Sequence, residues 1–201
     1  MLPSEIAPGL LRWTAPHPDW EGEADGWERD VGCTLFEADD ALVLIDPLLP
    51  SDGRAEFLAW LDARVDGGPV SILTTIHWHA RDREELAERY RANSSRSWNY
   101  VPAGVKPRPL RGAGETVFWL PAVRALVTGD RLVGAGGQLR LCREEWLQST
   151  SVDRAGLAAL MRPLLELDIE RVLVSHGEPV LHDGRAALAH ALAEAAPEGE
   201  S

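Results

Sequence analysis

No stretch of this chain approaches the run of about 20 apolar residues that a membrane helix needs, which excludes a spanning helix. Positive charge is also scarce. Twenty Lys and Arg against 32 Asp and Glu leave a formal charge of −12 and a pI near 4.9, which argues against a nucleic-acid partner. The acidic residues are scattered and read as a solvated surface, so any pull on an anionic substrate must come from a local metal or arginine cluster. Of the basic residues only Lys106 is lysine, and no mechanism follows from that habit. Cysteine is nearly absent. Cys33 and Cys142 stand alone, with no CxxC and no Cys/His cluster; they can pair, but a free thiol pair in a reducing compartment is the expectation. The first eleven residues lack the basic and apolar regions of a secretory signal, so the expected location is the cytoplasm.

What is present suits a folded enzyme-sized domain. At 201 residues, 45% apolar and 26% charged, the composition is that of a soluble globular chain. Such a length buries about 70% of the surface its unfolded form exposes, so no covalent staple is needed. No repeat is visible, and residues 197–201 are expected to fray, which leaves one domain over residues 1–196. The Pro-, Gly- and Arg-rich residues 102–114 read as a long loop and a weak candidate boundary.

Short strands are expected at residues 10–14 and 31–36, and a continuous apolar run at 41–45 ends at Asp46-Pro47. Ser51 or Asp52 then caps a helix to about Val65, and Gly67-Gly68-Pro69 breaks it. A buried strand at 70–76 leads into His77, and a charged helix at 82–91 precedes a polar stretch at 93–97. In the second half, strands are expected at 116–120, 123–128, 138–141 and 171–174. Helices are expected from Asp153 to about Leu165 and over 184–195. Strands followed by alternating helix and strand, and that order repeated, predict an α/β fold of two sheets under outer helices.

Three signals place polar side chains where a buried strand ends. In His77-Trp78-His79 an extended backbone sets both imidazoles on one side, a natural chelate for zinc or iron, and turns Trp78 toward the core. The same pair is equally compatible with surface histidines after a strand. Thr128-Gly129-Asp130 delivers a carboxylate to a strand end, where it can bind a cation or simply close a turn. Val174-Ser175-His176-Gly177 delivers a third imidazole. His17 lies between Pro16 and Pro18 and is either an exposed loop histidine or a ligand on an N-terminal arm, whereas His182 and His190 read as solvent-facing. Most of the eight tryptophans read as core.

In order and context these signals resemble the metallo-β-lactamase fold: an apolar strand ending in Asp46, then His77 and His79, then Gly129-Asp130, then His176-Gly177. The resemblance spans residues 41–177 and implies a four-layer αββα sandwich with a divalent metal ion, zinc first and iron or manganese as alternatives. It also implies a metal-dependent hydrolase, using metal-activated water on a small-molecule ester, thioester, lactam or phosphoester.

The chain departs from the family pattern in three places. Arg81 stands where the family aspartate falls, and a guanidinium offers only donors. Asp82 stands where the adjacent histidine falls, and no histidine lies between His79 and His176. Residues 112–120 occupy the place of the middle ligand and offer Glu115 as the nearest substitute. The implied ligand set is therefore His77, His79, Asp130 and His176, with Asp82 entering if the loop slips by one residue, and it suits one metal rather than two. Asp130 is expected to hold the metal and orient water, and Arg81 to steady developing negative charge, point to solvent, or pair with Glu84 or Glu85. Asp46 is expected to support the metal loop. The alternative is a catalytically inactive protein of the same fold with a binding or regulatory role.

Overall fold

A computed structural model describes residues 2–22, 26–93 and 101–195. All but Asn93 of the polar stretch expected at 93–97, and the whole tail at 197–201, lie outside the described residues. The chain divides into two compact units, Met1–Lys106 and Pro107–Ser201, and the division falls inside the Pro- and Gly-rich segment at 102–114.

The first unit is a five-stranded sheet with two helices. Strands β1 (Ser4–Ala7), β2 (Leu10–Pro16), β3 (Asp30–Glu37) and β4 (Leu42–Ile45) pair in that order as antiparallel neighbours. Helix α1 (Arg54–Val65) then carries the chain to β5 (Val70–Leu73), which joins β4 in parallel, Leu44 beside Ile72. Every residue of β4 and β5 is buried, which is why both read as unbroken apolar runs rather than alternating ones. Trp13, Leu35, Leu44, Phe57, Leu61, Ile72 and Leu86 form the centre of this unit's core, Leu86 coming from α2 (Arg83–Tyr90). The cap expected at Ser51 or Asp52 is replaced by Gly53 at φ +71°, a left-handed start that glycine adopts without a Cβ penalty.

The second unit holds a four-stranded sheet and a separate ribbon. β6 (Lys106–Leu110), β7 (Glu115–Leu120), β8 (Ala125–Val127) and β11 (Arg171–Leu173) lie in the spatial order β11-β8-β7-β6, with β7 and β8 antiparallel and β8 and β11 parallel. β9 (Leu132–Ala135) and β10 (Gln138–Leu141) form the ribbon. Val117, Trp119, Leu126, Met161, Val172 and Leu188 anchor the core, with helices α3 (Arg154–Met161) and α4 (Gly184–Glu194) supplying its helical side.

Asp153 caps α3 by accepting the Gly156 amide at 2.7 Å, as expected, but the helix ends four residues early. It tightens into a 3-10 turn over Arg162–Glu166, because Pro163 has no N–H to continue the ladder. β6 is a strand and not the expected loop: Pro107 and Pro109 alternate along an edge, where the missing donors cost no ladder bond. No helix among the described residues is long and apolar enough to cross a membrane.

Both cysteines are free and buried, Cys33 on β3 and Cys142 just after β10. Burial pushes each thiol up to about 11, above the ordinary 9.0. Their neutral form is thus favoured by the fold, and the stability this contributes is present below pH 9 and lost as pH rises from there toward 11. Native protein is expected to show no thiol reactive to Ellman's reagent at pH 8, and two after denaturation. The melting temperature should fall between pH 9 and 11 less steeply in a Cys33→Ala/Cys142→Ala variant than in the parent.

Candidate functional site

In the first unit the candidate groups are organised by one buried carboxylate. The chain leaves β4 at Asp46, whose φ of +49° is left-handed, a conformation aspartate tolerates better than most residues. Its Oδ1 accepts the Thr75 amide at 2.8 Å, and its Oδ2 accepts the Thr75 hydroxyl and lies 2.9 Å from His79 Nδ1. These contacts bend the chain out of β5 at Leu73 and into a 3-10 turn over His77–Ala80, closed by the His79 amide on the Ile76 carbonyl at 2.9 Å. Because a carboxylate only accepts, His79 Nδ1 carries the hydrogen of this contact.

That turn corrects the extended reading of His77-Trp78-His79. A strand would set the two imidazoles side by side; the turn buries His79 and leaves His77 exposed, edge-on to Trp78 at 4.5 Å. Trp78, expected in the core, is 42% exposed for the same reason.

Arg81 sits at φ +41°, and its Nη1 donates to the Gly32 carbonyl at 3.0 Å and the Asp46 carbonyl at 2.7 Å, joining β3 to the end of β4. Asp82 Oδ2 accepts the Leu49 amide at 2.6 Å, and its Oδ1 lies 3.8 Å from Arg54 Nη2. His17 Nδ1 accepts the Asp19 amide at 3.3 Å, with the ring edge-on to Trp27.

The second unit brings Asp130 and His176 together. The ladder of β8 and β11 continues through the Thr128 amide on the Leu173 carbonyl, so both strands end at one level. There His176 Nε2 lies 3.2 Å from Asp130 Oδ1, both side chains about nine-tenths buried. The backbone of the His176 loop rests directly on β9: the Gly134 amide donates to the His176 carbonyl at 2.9 Å. A Cβ on Gly134 would meet the Glu178 carbonyl oxygen at 2.0 Å, and one on Gly177, at φ +80°, would meet the Gly134 carbonyl oxygen at 2.3 Å. Trp146 completes the setting, its ring 5.5 Å from that of His176.

Glu115, expected at most as a substitute ligand, does something else. It is buried, and its Oε1 accepts the Gly129 amide at 3.0 Å while Oε2 accepts the Arg131 amide at 2.9 Å. Burial pushes its carboxyl up to about 7, with the charge of Asp130 adding to the rise; the two amides and the charge of Arg131 oppose it. Arg131, 1% exposed, donates from Nε to the Ala113 carbonyl at 2.8 Å and from Nη1 to the Trp146 carbonyl at 2.7 Å. His182 and His190 are exposed, beside Glu170 and Glu194 respectively.

Solved structures share this fold over most of the chain. A metallo-beta-lactamase from Erythrobacter litoralis aligns over 96% of this chain and 91% of its own at a TM-score of 0.61 and 16% identity. The metallo-beta-lactamase FIM-1 from Pseudomonas aeruginosa, in its mono-zinc form, aligns over 97% and 96% at 0.63 and 13%. The chain has the metallo-β-lactamase fold. A metallo-beta-lactamase family protein from Thermus thermophilus agrees over 94% of this chain and 80% of its own, at 0.55 and 16%. No family model and no curated protein matches the sequence.

On the metallo-β-lactamase fold, the residues that sequence reasoning missed are the positioning ones. Thr75, Trp146 and Arg131 carry no spacing signal of their own. Glu115 and Arg131 do share one mark, a charged residue beside an apolar run, which in a strand context signals a buried and partnered charge.

Asp46→Ala should destabilise the protein by about 3 kcal/mol in urea unfolding, since it strands a buried amide, hydroxyl and imidazole. Asp46→Asn, which keeps one acceptor and tolerates the left-handed backbone, should lose less. Gly134→Ala should cost at least the ~1–3 kcal/mol of an overpacked core, because the group it strikes is backbone and has no rotamer to yield.

Proposed function

We propose that this chain is a hydrolase that uses one divalent cation, held by His79, Asp130 and His176, to cleave a small-molecule ester, thioester, lactam or phosphoester. The observation that carries the reading is the prepared state of the donors. His79 has its Nδ1 hydrogen committed to a buried carboxylate, the arrangement that orients a metal-binding imidazole and raises its basicity. Asp130 and His176 already face each other at 3.2 Å at the ends of adjacent strands. Two imidazoles and one carboxylate suit zinc with an open position, and iron or manganese less closely. The Pseudomonas neighbour in its mono-zinc form supports a single-metal state for this fold.

When bound, such a cation acidifies a coordinated water and polarises a carbonyl or phosphoryl oxygen. Asp130 would be both a holder of the cation and the carboxylate that orients the attacking water, with His79 and His176 as the remaining ligands. We leave His77 and Asp82 out of the ligand set, because one is exposed against Trp78 and the other holds the Leu49 amide. Arg81 acts on the scaffold rather than on substrate, since its Nη1 is committed to two backbone carbonyls. A small-molecule substrate and no nucleic acid fit the acidic surface, and two free buried thiols fit a reducing cytoplasm.

Metal analysis of purified protein should find close to one equivalent of a divalent ion, and His79→Ala or His176→Ala should weaken binding by more than the ~10–100-fold typical of losing an outer partner. Turnover should appear on at least one of a nitrophenyl ester, a thioester, a chromogenic β-lactam or a nitrophenyl phosphodiester, and vanish on chelation. Metal-free wild-type protein would sink the reading. A stoichiometric ion without turnover on any of the four would favour the binding or regulatory role, for which the missing family ligands already argue.

A further inference from the structure

We propose that Glu115 is a positioning residue that sets the cation-binding carboxylate of Asp130, through the backbone on either side of it, without being a ligand itself. The inference rests on the ligand set proposed above and deepens it.

Its basis is where the two oxygens of Glu115 go. Oε1 takes the amide of Gly129 and Oε2 the amide of Arg131, so a single carboxylate grips the chain immediately before and immediately after Asp130. Holding the Arg131 amide fixes the peptide plane that follows Asp130, and holding the Gly129 amide fixes the approach from β8. Glycine is the least restrained residue type, so the grip on Gly129 falls where the backbone would wander. Asp130 is left with its side chain as its main freedom, and His176 Nε2 stands 3.2 Å from it.

A purely structural role for Glu115 has to explain its chemistry. The neighbouring Arg131 guanidinium donates to the Ala113 and Trp146 carbonyls, bonds that do not need this carboxylate. Placing a second buried acid close to Asp130 raises the electrostatic cost of the metal-free fold. A cation beside Asp130 turns that cost into attraction. Glu115 thus combines geometric hold with negative potential, and both act on a cation it does not touch.

The test is zinc affinity by competition with a chromophoric chelator at about pH 7.5, beside the visible spectrum of the cobalt-substituted protein and the melting temperature of the metal-free form. Glu115→Gln keeps the shape but presents an NH2 to one of the two amides and removes the charge. It should weaken zinc binding ~10–100-fold and shift the cobalt bands, while the surface control Glu144→Gln changes neither. Zinc affinity and cobalt spectrum equal to wild type in a folded Glu115→Gln, whatever its melting temperature, would overturn the inference. If that variant fails to fold, Glu115→Asp takes its place: one methylene shorter, it cannot reach both amides, and wild-type zinc affinity in it overturns the inference equally. Wild-type protein that takes up no zinc overturns the ligand set, and this inference with it; zinc bound equally by wild type and variant overturns this inference alone.

Discussion

Taking a carboxylate out of water costs several kcal/mol unless donors meet it, and in each unit the loop bearing the candidate ligands is shaped by such a carboxylate. Asp46 collects the Thr75 amide, the Thr75 hydroxyl and His79 Nδ1. Glu115 collects the amides of Gly129 and Arg131. The need to saturate these oxygens decides where β5 stops, why residues 77–80 turn instead of running on, and how the chain rounds Asp130. The candidate ligands come second, and their placement follows from the carboxylates that hold these loops.

Two arginines complete the same logic from the positive side. Arg81 donates to the Gly32 and Asp46 carbonyls, and Arg131 to the Ala113 and Trp146 carbonyls. Where the chain leaves a sheet its carbonyls lose their ladder partners, and a buried one must be paired. A guanidinium, planar and permanently charged, reaches two acceptors at once, where an ammonium on a flexible stem would lose more freedom for each bond. The backbone at Arg81, φ +41°, carries local strain for the sake of this reach.

The fold was legible in the sequence because its signals are local and repeated. The unbroken apolar runs of β4 and β5, the Gly-Gly-Pro break after α1 and the Asp153 cap each state their structure within a few residues. The candidate groups His79, Asp130 and His176 were legible by motif, and Asp46 in its supporting role by resemblance. The conformation of His77-Trp78-His79 was not, because the turn is imposed by a carboxylate 33 residues away, and no window of local sequence contains that contact. Glu115 was hidden similarly. Its partners, 14 and 16 residues on, are backbone amides, which have no residue type to read. β6 was masked by prolines that forbid a central strand but allow an edge.

The departures from the family pattern point in one direction. The residue two places after His79 is a cation where a two-metal site needs an anion, and the middle histidine is replaced by a segment whose one acid, Glu115, is committed to backbone amides. Two like charges about 4 Å apart repel by roughly 4 kcal/mol at an effective dielectric of about 20, about a thousandfold in binding. A cation brought that close to the Arg81 guanidinium would meet that repulsion. On the proposed reading, a cation at Asp130 and His176 would have the acids Asp130 and Glu115 beside it. On that reading, the substitutions that break the motif would remove one metal position while leaving the chemistry of the other coherent, and random decay gives no reason for the surviving donors to be those whose hydrogen bonds prepare them for a cation.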